Sequence, residues 1–181
     1  MQNNQLIRSL NLVIIILFFI SGISYAEGLP PLTHKLSALK TPIPAPALHF
    51  EDLDEEMIDI KDLKGKVVIV NFWATWCPPC RREMASLERL YEATKDKNVE
   101  ILAVNIGEDV ETVFSFLGTV EPSPNFKMLF DLDGSSMDKW KVLGLPTTFF
   151  INTDGKIVYK AVGGREFDHP DIQKAVLDLK K

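Results

Sequence analysis

The stretch Asn71-Phe72-Trp73-Ala74-Thr75-Trp76-Cys77-Pro78-Pro79-Cys80-Arg81-Arg82-Glu83 decides how this chain folds. Its first residues close a continuous β-branched and aromatic run, Val67 to Trp73, of the kind found in a central strand covered on both faces. Beyond the cysteines, Met84, Leu87, Leu90 and Tyr91 recur at three- and four-residue spacing while Arg81, Arg82, Glu88, Arg89 and Glu92 fall elsewhere, which predicts an amphipathic helix to about Lys95. A C-x-x-C pair thus sits where a strand passes into a helix. Proline is preorganised for the first helical residue, so Pro78 makes Cys77 the helix cap and sets its sulfur beside the positive end of the dipole, where a thiolate is favoured. Pro78 and Pro79 both lack an N–H, which leaves the amide of Cys80 as the first-turn donor facing that sulfur. On this reading Cys77 is the exposed nucleophile and Cys80 the resolving thiol, one turn away, that completes thiol–disulfide exchange.

Cys77 and Cys80 are the only two cysteines in 181 residues, so no disulfide framework joins distant parts of the chain. A purely structural bridge is a poor reading, because a four-residue loop restrains little of the unfolded chain. The histidines His34, His49 and His169 lack the close pair spacing that would complete a zinc site, and Arg81 stands where covalent haem attachment requires a histidine. The expectation is a redox-active Cys77–Cys80 disulfide with no separate cofactor and no metal. Asp131-Leu132-Asp133-Gly134 reads as a turn, not a calcium loop, and Gly163-Gly164 as a loop, not a phosphate cradle.

On either side of the junction the pattern is that of a mixed α/β domain. Leu48 to Leu53 and Met57 to Ile60 are short alternating segments around Asp54-Glu55-Glu56, fitting a β-hairpin or two edge strands. Ile101 to Asn105 predicts a second buried strand, Val110 to Leu117 a helix, Met128 to Phe130 a short strand, and Ser135 to Val142 a brief helix with Met137 and Trp140 inward. Thr147 to Ile151 and Ile157 to Val162 flank Asn152-Thr153-Asp154-Gly155, whose Asp-Gly pair signals a hairpin, and a closing helix follows Pro170. Strand, helix, strand, then hairpin and helix imply a mixed sheet covered on both faces.

Toward the amino terminus, Arg8 precedes the apolar run Leu10 to Ile23, and Ser24-Tyr25-Ala26 offers small residues where a signal peptidase reads. Residues 1–26 are read as a secretory signal or, if retained, a membrane anchor. From Glu27 to Ala47 the chain holds five prolines and no helical periodicity, an extended spacer that sets reach, not chemistry; near Pro46 it equally reads as a segment starting the fold across a sheet edge. The domain proper is then residues 48–181, of ordinary single-domain size. The formal charge is −5, with Arg8 the one charged residue before Glu27, which disfavours a nucleic-acid partner.

The motif around the cysteines, together with Val104-Asn105-Ile106-Gly107-Glu108 and Gly144-Leu145-Pro146-Thr147-Thr148-Phe149, resembles thioredoxin-like proteins, and among them the TlpA/ResA-like extracytoplasmic thiol-disulfide oxidoreductases. The resemblance spans roughly Ala45 to Leu179. It implies a thioredoxin-like fold, a central mixed β-sheet with helices on both faces, an N-terminal β-hairpin and an inserted strand-helix unit. It also implies that Pro146 is a cis-proline facing the cysteines, with the main chain of Leu145 available to pair with an extended substrate segment; read from the residues alone, Pro146 is either such a special position or an ordinary strand-start proline. Asn71 departs from cytoplasmic thioredoxins, which carry a buried aspartate there. Glu83, three residues after Cys80 and four before Leu87, lies by helical spacing near the pair at the edge of the buried face, and in the resembled family it tunes the thiols; alone, the residue also reads as a solvated surface glutamate. Glu108 matches a second acidic position of the family. Trp73 is read as core, and Trp76 as a cover for the sulfur that, with Pro78 and Pro79, offers an apolar docking surface.

The function expected is reduction of protein disulfides outside the cytoplasm, with apocytochrome c as one substrate and a membrane thiol–disulfide exchanger as electron donor. Two alternatives stay open: an oxidase that donates its disulfide, and a copper(I)-binding or metal-chaperone module built on two thiolates. A peroxidase is disfavoured, since Thr75 lacks the upstream proline expected of a peroxidatic site.

Overall fold

A computed structural model describes residues 31–180. The signal or anchor expected over residues 1–26, and the first four residues of the expected spacer, lie outside the described residues.

The strand run and its neighbours form a six-stranded sheet. In chain order its members are β1 (Ser37–Pro44), β4 (Val67–Trp73), β5 (Val99–Ile106), β6 (Lys127–Asp131), β7 (Thr147–Ile151) and β8 (Lys156–Val162), arranged β1-β8-β7-β4-β5-β6; β2 (His49–Glu51) and β3 (Met57–Asp59) pair as a separate antiparallel hairpin. β4 runs parallel to β5 and antiparallel to β7, so the sheet is mixed. All seven residues of β4 are buried, as its unbroken apolar run predicts. Its alternate side chains divide two cores. Val67, Ile69 and Trp73 face one, with Met84, Leu87 and Leu90 of helix α1 (Pro78–Thr94), Val113 and Phe116 of α2 (Val110–Leu117), and Ile172 and Val176 of α4 (Pro170–Asp178). Val68, Val70 and Phe72 face the other, with Leu48, the hairpin residues Phe50 and Ile58, and Trp140 of α3 (Ser135–Trp140). The inserted unit is α2 followed by β6, which adds a parallel strand at one edge; the hairpin covers that edge through an Asp52–Leu129 bridge and a bond from Lys127 Nζ to Asp52 Oδ2 at 3.0 Å.

One reading needs correction. Ser37–Pro44, inside the segment 27–47 read as a spacer, is the opposite edge strand, antiparallel to β8 with Ser37 opposite Lys160 and Pro44 opposite Lys156. A strand and an extended proline-rich spacer share backbone dihedrals, and prolines are tolerated at a sheet edge, so composition could not separate them. Ahead of β1, Thr33 bridges Arg165 in parallel, which brings this segment onto the body of the domain.

Candidate active site

β4 and β7 end and begin at one edge of the sheet, because Phe72 pairs with Thr147 in antiparallel register. The turn leaving β4 carries the cysteines and the turn entering β7 carries Pro146, so register alone brings the two loops side by side. Cys77 and Cys80 form a disulfide, S–S 2.14 Å, with Cα atoms 5.3 Å apart. Cys77 is the N-cap of α1 in extended backbone (φ −92°, ψ 105°), its carbonyl accepts from Arg81 N at 3.1 Å, and the two prolines occupy the first helical positions. The Leu145–Pro146 peptide is cis. Pro146 is buried, Leu145 and Pro79 half-buried, Pro78 exposed, and Trp76 projects from the turn with 67% of its surface exposed. Trp73 packs against Phe116, as its core reading requires.

Cys77 is far less open than a capping residue suggests. Its exposure is 4%, against none for Cys80, so the order of accessibility is the expected one. The turn is held by Glu108, which accepts from Thr75 N at 2.7 Å and from Asn105 Nδ2 at 2.8 Å and binds the Thr75 hydroxyl as well. Arg81 is drawn aside: its Nη1 donates to Thr75 O at 3.2 Å and its guanidinium lies 4.5 Å over the Phe116 ring.

Glu83 is fully buried, deeper than the helix-edge position read from its spacing. Its Oε1 accepts from Asn71 Nδ2 at 2.8 Å and its Oε2 from the main-chain N–H of Arg165 at 2.9 Å, while the same Asn71 amide donates to Thr148 Oγ1 at 2.9 Å. Burial pushes the Glu83 carboxyl up to about 8; the bonds from Asn71 and the Arg165 amide, and the Arg165 charge, pull the other way. Asn71 and Glu83 are therefore one feature: the strand amide holds the helix carboxylate.

Thr148 lies in the motif that carries the resemblance, but nothing there ties it to Asn71, and Arg165, 82 positions beyond Glu83 on another element, carries no signal in the sequence. At Gly164, read from the sequence as loop, a Cβ would lie 2.5 Å from Leu32 Cδ2 and 3.2 Å from Pro79 O, a close approach that glycine eases. Among the described residues one group has the donors to hold a metal ion, His34, His169 and Asp171, but it lies apart from the cysteines in sequence and element. His169 Nδ1 is already taken as acceptor from Asp171 N at 3.2 Å, at a helix N-terminus whose dipole opposes a cation.

Comparison with known proteins fits this geometry. The AhpC/TSA family profile matches residues 43–160. The chain belongs to that family. It is 34% identical to the thiol-disulfide oxidoreductase ResA of Bacillus cereus over 163 residues, 90% of this chain and 91% of the relative, and 41% identical to ResA of Bacillus subtilis over 119 residues, 66% of this chain and 65% of that protein. Among solved structures, a DsbE-type thiol:disulfide interchange protein from Chlorobium tepidum superposes with a TM-score of 0.71 at 28% identity, covering 80% of this chain and all of that one. Within the family the chain is thus a ResA-like, thioredoxin-like thiol-disulfide oxidoreductase, with a dithiol–disulfide pair at Cys77 and Cys80.

Proposed function

We propose that this chain works as a reductase of protein disulfides outside the cytoplasm, with Cys77 as nucleophile, Cys80 as resolving thiol and Glu83 as proton carrier. The Cys77 thiolate attacks one sulfur of the partner disulfide and releases the other as a thiolate. Cys80, giving its proton to Glu83, then attacks Cys77 Sγ, closes the Cys77–Cys80 disulfide and releases the partner's second thiolate. Two electrons pass from the dithiol to the partner, whose two thiolates take their protons from solvent; the Cys77 proton went to solvent on ionisation, and the Cys80 proton stays on Glu83 until the pair is reduced again. The observation that carries this reading is the buried Glu83 one turn beyond a disulfide that caps α1, with a proton affinity raised to about 8, close to that of an ordinary thiol near 8.5. Trp76, Pro78, Pro79, Leu145 and Pro146 supply the surface on which an extended partner segment docks. The ResA and DsbE relatives support protein disulfides as substrates; apocytochrome c is one such partner in this reading, and a membrane thiol–disulfide exchanger is the electron source, since an oxidising compartment holds no soluble reductant pool.

The direction follows from the helix start. With Pro78 and Pro79 removing two amides, few donors stabilise the Cys77 thiolate, and Arg81 is engaged by Thr75 O and Phe116. A poorly stabilised reduced form makes a reductant, with a potential nearer about −270 mV than about −120 mV. Equilibration against a dithiothreitol or glutathione series measures it, and a value at the oxidising end would replace the reductase with a disulfide donor. A Cys80→Ser variant expressed in its own compartment is expected to retain c-type apocytochromes as mixed disulfides.

A further inference from the structure

The residues ahead of β1 form an arm that ends at the active site. Thr33 O accepts from Glu166 N at 2.9 Å, and Lys35 O from Arg165 Nε at 2.9 Å. Leu32 and Pro79 both approach Gly164, where an added Cβ would lie 2.5 Å from Leu32 Cδ2 and 3.2 Å from Pro79 O. Arg165 closes the arrangement: its Nη1 donates to the carbonyls of Gly163 and Gly164, and its own carbonyl accepts from Ser86 Oγ of α1 at 3.2 Å. Its main-chain N–H, held between arm and helix, is one of the two donors on Glu83.

We propose that the arm Leu32–Lys35 is part of the active site, acting through Arg165 as a positioning residue: by holding the Arg165 main chain against α1, it places the amide that binds the Glu83 carboxylate. Leu32 of the arm also reaches Gly164, whose other close neighbour is Pro79, between the two cysteines. This inference rests on Glu83 as the proton carrier. The groups facing Glu83 are few. Arg165 brings the one charge, from the loop after β8; β4 and β7 present the uncharged Asn71 and Thr148; on α1 the titrating neighbour is Cys80, one turn earlier, once the disulfide is reduced.

The test uses the full chain, reduced, and follows the rate of Cys77 alkylation against pH in three variants. Leu32→Ala trims the arm where it meets Gly164, Gly164→Ala crowds Leu32 and the Pro79 carbonyl, and Arg165→Met removes the bond to Lys35 together with the charge. Loss of one hydrogen bond to a buried carboxylate is expected to move the Glu83-dependent inflection upward by about one pH unit. Each variant is repeated in a Glu83→Gln background, where no such shift remains. Arg165→Met risks unfolding, but Leu32→Ala trims a half-buried side chain and keeps the test decisive. If Glu83→Gln alone leaves the profile unchanged, the proton-carrier reading fails and this inference with it. If Glu83→Gln alters the profile while Leu32→Ala and Gly164→Ala do not, the arm is only packing and the proposal is overturned with the proton carrier intact.

Discussion

Glu83 is a carboxyl group with no access to water, and its two donors, Asn71 Nδ2 and Arg165 N, do not offset its burial. Because its proton affinity is higher folded, about 8, than unfolded, near 4.5, the folded state binds more protons between those values. Stability contributed by this group is therefore full below about pH 4.5 and declines as pH rises through 8, by at most about 5 kcal/mol. Glu83→Gln removes that dependence. At pH 5 the variant is expected to be less stable than the parent by about 1–3 kcal/mol, because a glutamine NH₂ must face one of two donors where a protonated carboxyl can still accept. At pH 8.5 the gap should narrow or reverse, as urea midpoints of the oxidised proteins at the two pH values will show; a gap independent of pH would mean that Glu83 titrates normally. Asn71→Asp makes the opposite change. It sets a second carboxyl against Glu83, and the pair is expected to hold one proton well above neutrality, moving the onset of thiol reactivity to higher pH.

At the scale of elements, the first turn of α1 and the turn before it decide which sulfur reacts. Cys77 keeps 4% of its surface and Cys80 none, so brief iodoacetamide treatment of the reduced protein should label Cys77, with mass spectrometry assigning the site. Labelling of Cys80 would exchange the two roles. Glu108 fastens the preceding turn to β5 through Thr75 and Asn105. Glu108→Ala leaves the Thr75 N–H and hydroxyl without their acceptor, and a loss of about 1–3 kcal/mol with slower disulfide exchange is expected, measured by unfolding midpoint and stopped-flow exchange. These devices were partly legible beforehand. C-x-x-C after a buried strand and a proline at the helix start locate the site, whereas the burial of Cys77 and the grip of Glu108 depend on loops brought in from elsewhere.

Over the whole molecule, β4 serves the site and both cores at once. Trp73 lies in the core that contains Cys77 and Cys80, while Phe72 lies on the far face against Trp140 and Phe149. Phe72→Ala is expected to cost about 3–5 kcal/mol and leave the pH profile of Cys77 alkylation in place; a profile that moves with it would mean the two faces are coupled through the strand. By itself the sequence determined the order of elements from the hairpin at Leu48 onward, the C-x-x-C at a strand-to-helix junction, and the helices and hairpins, because those follow from local periodicity, turn residues and the spacing of two cysteines. It could not determine that Ser37–Pro44 joins the sheet, since extended chain looks alike whether paired or solvated, nor that Glu83 is sealed between Asn71 and Arg165 with Leu32 against Gly164. Those contacts join residues tens of positions apart, and only packing of the finished sheet and helices brings them within hydrogen-bonding range.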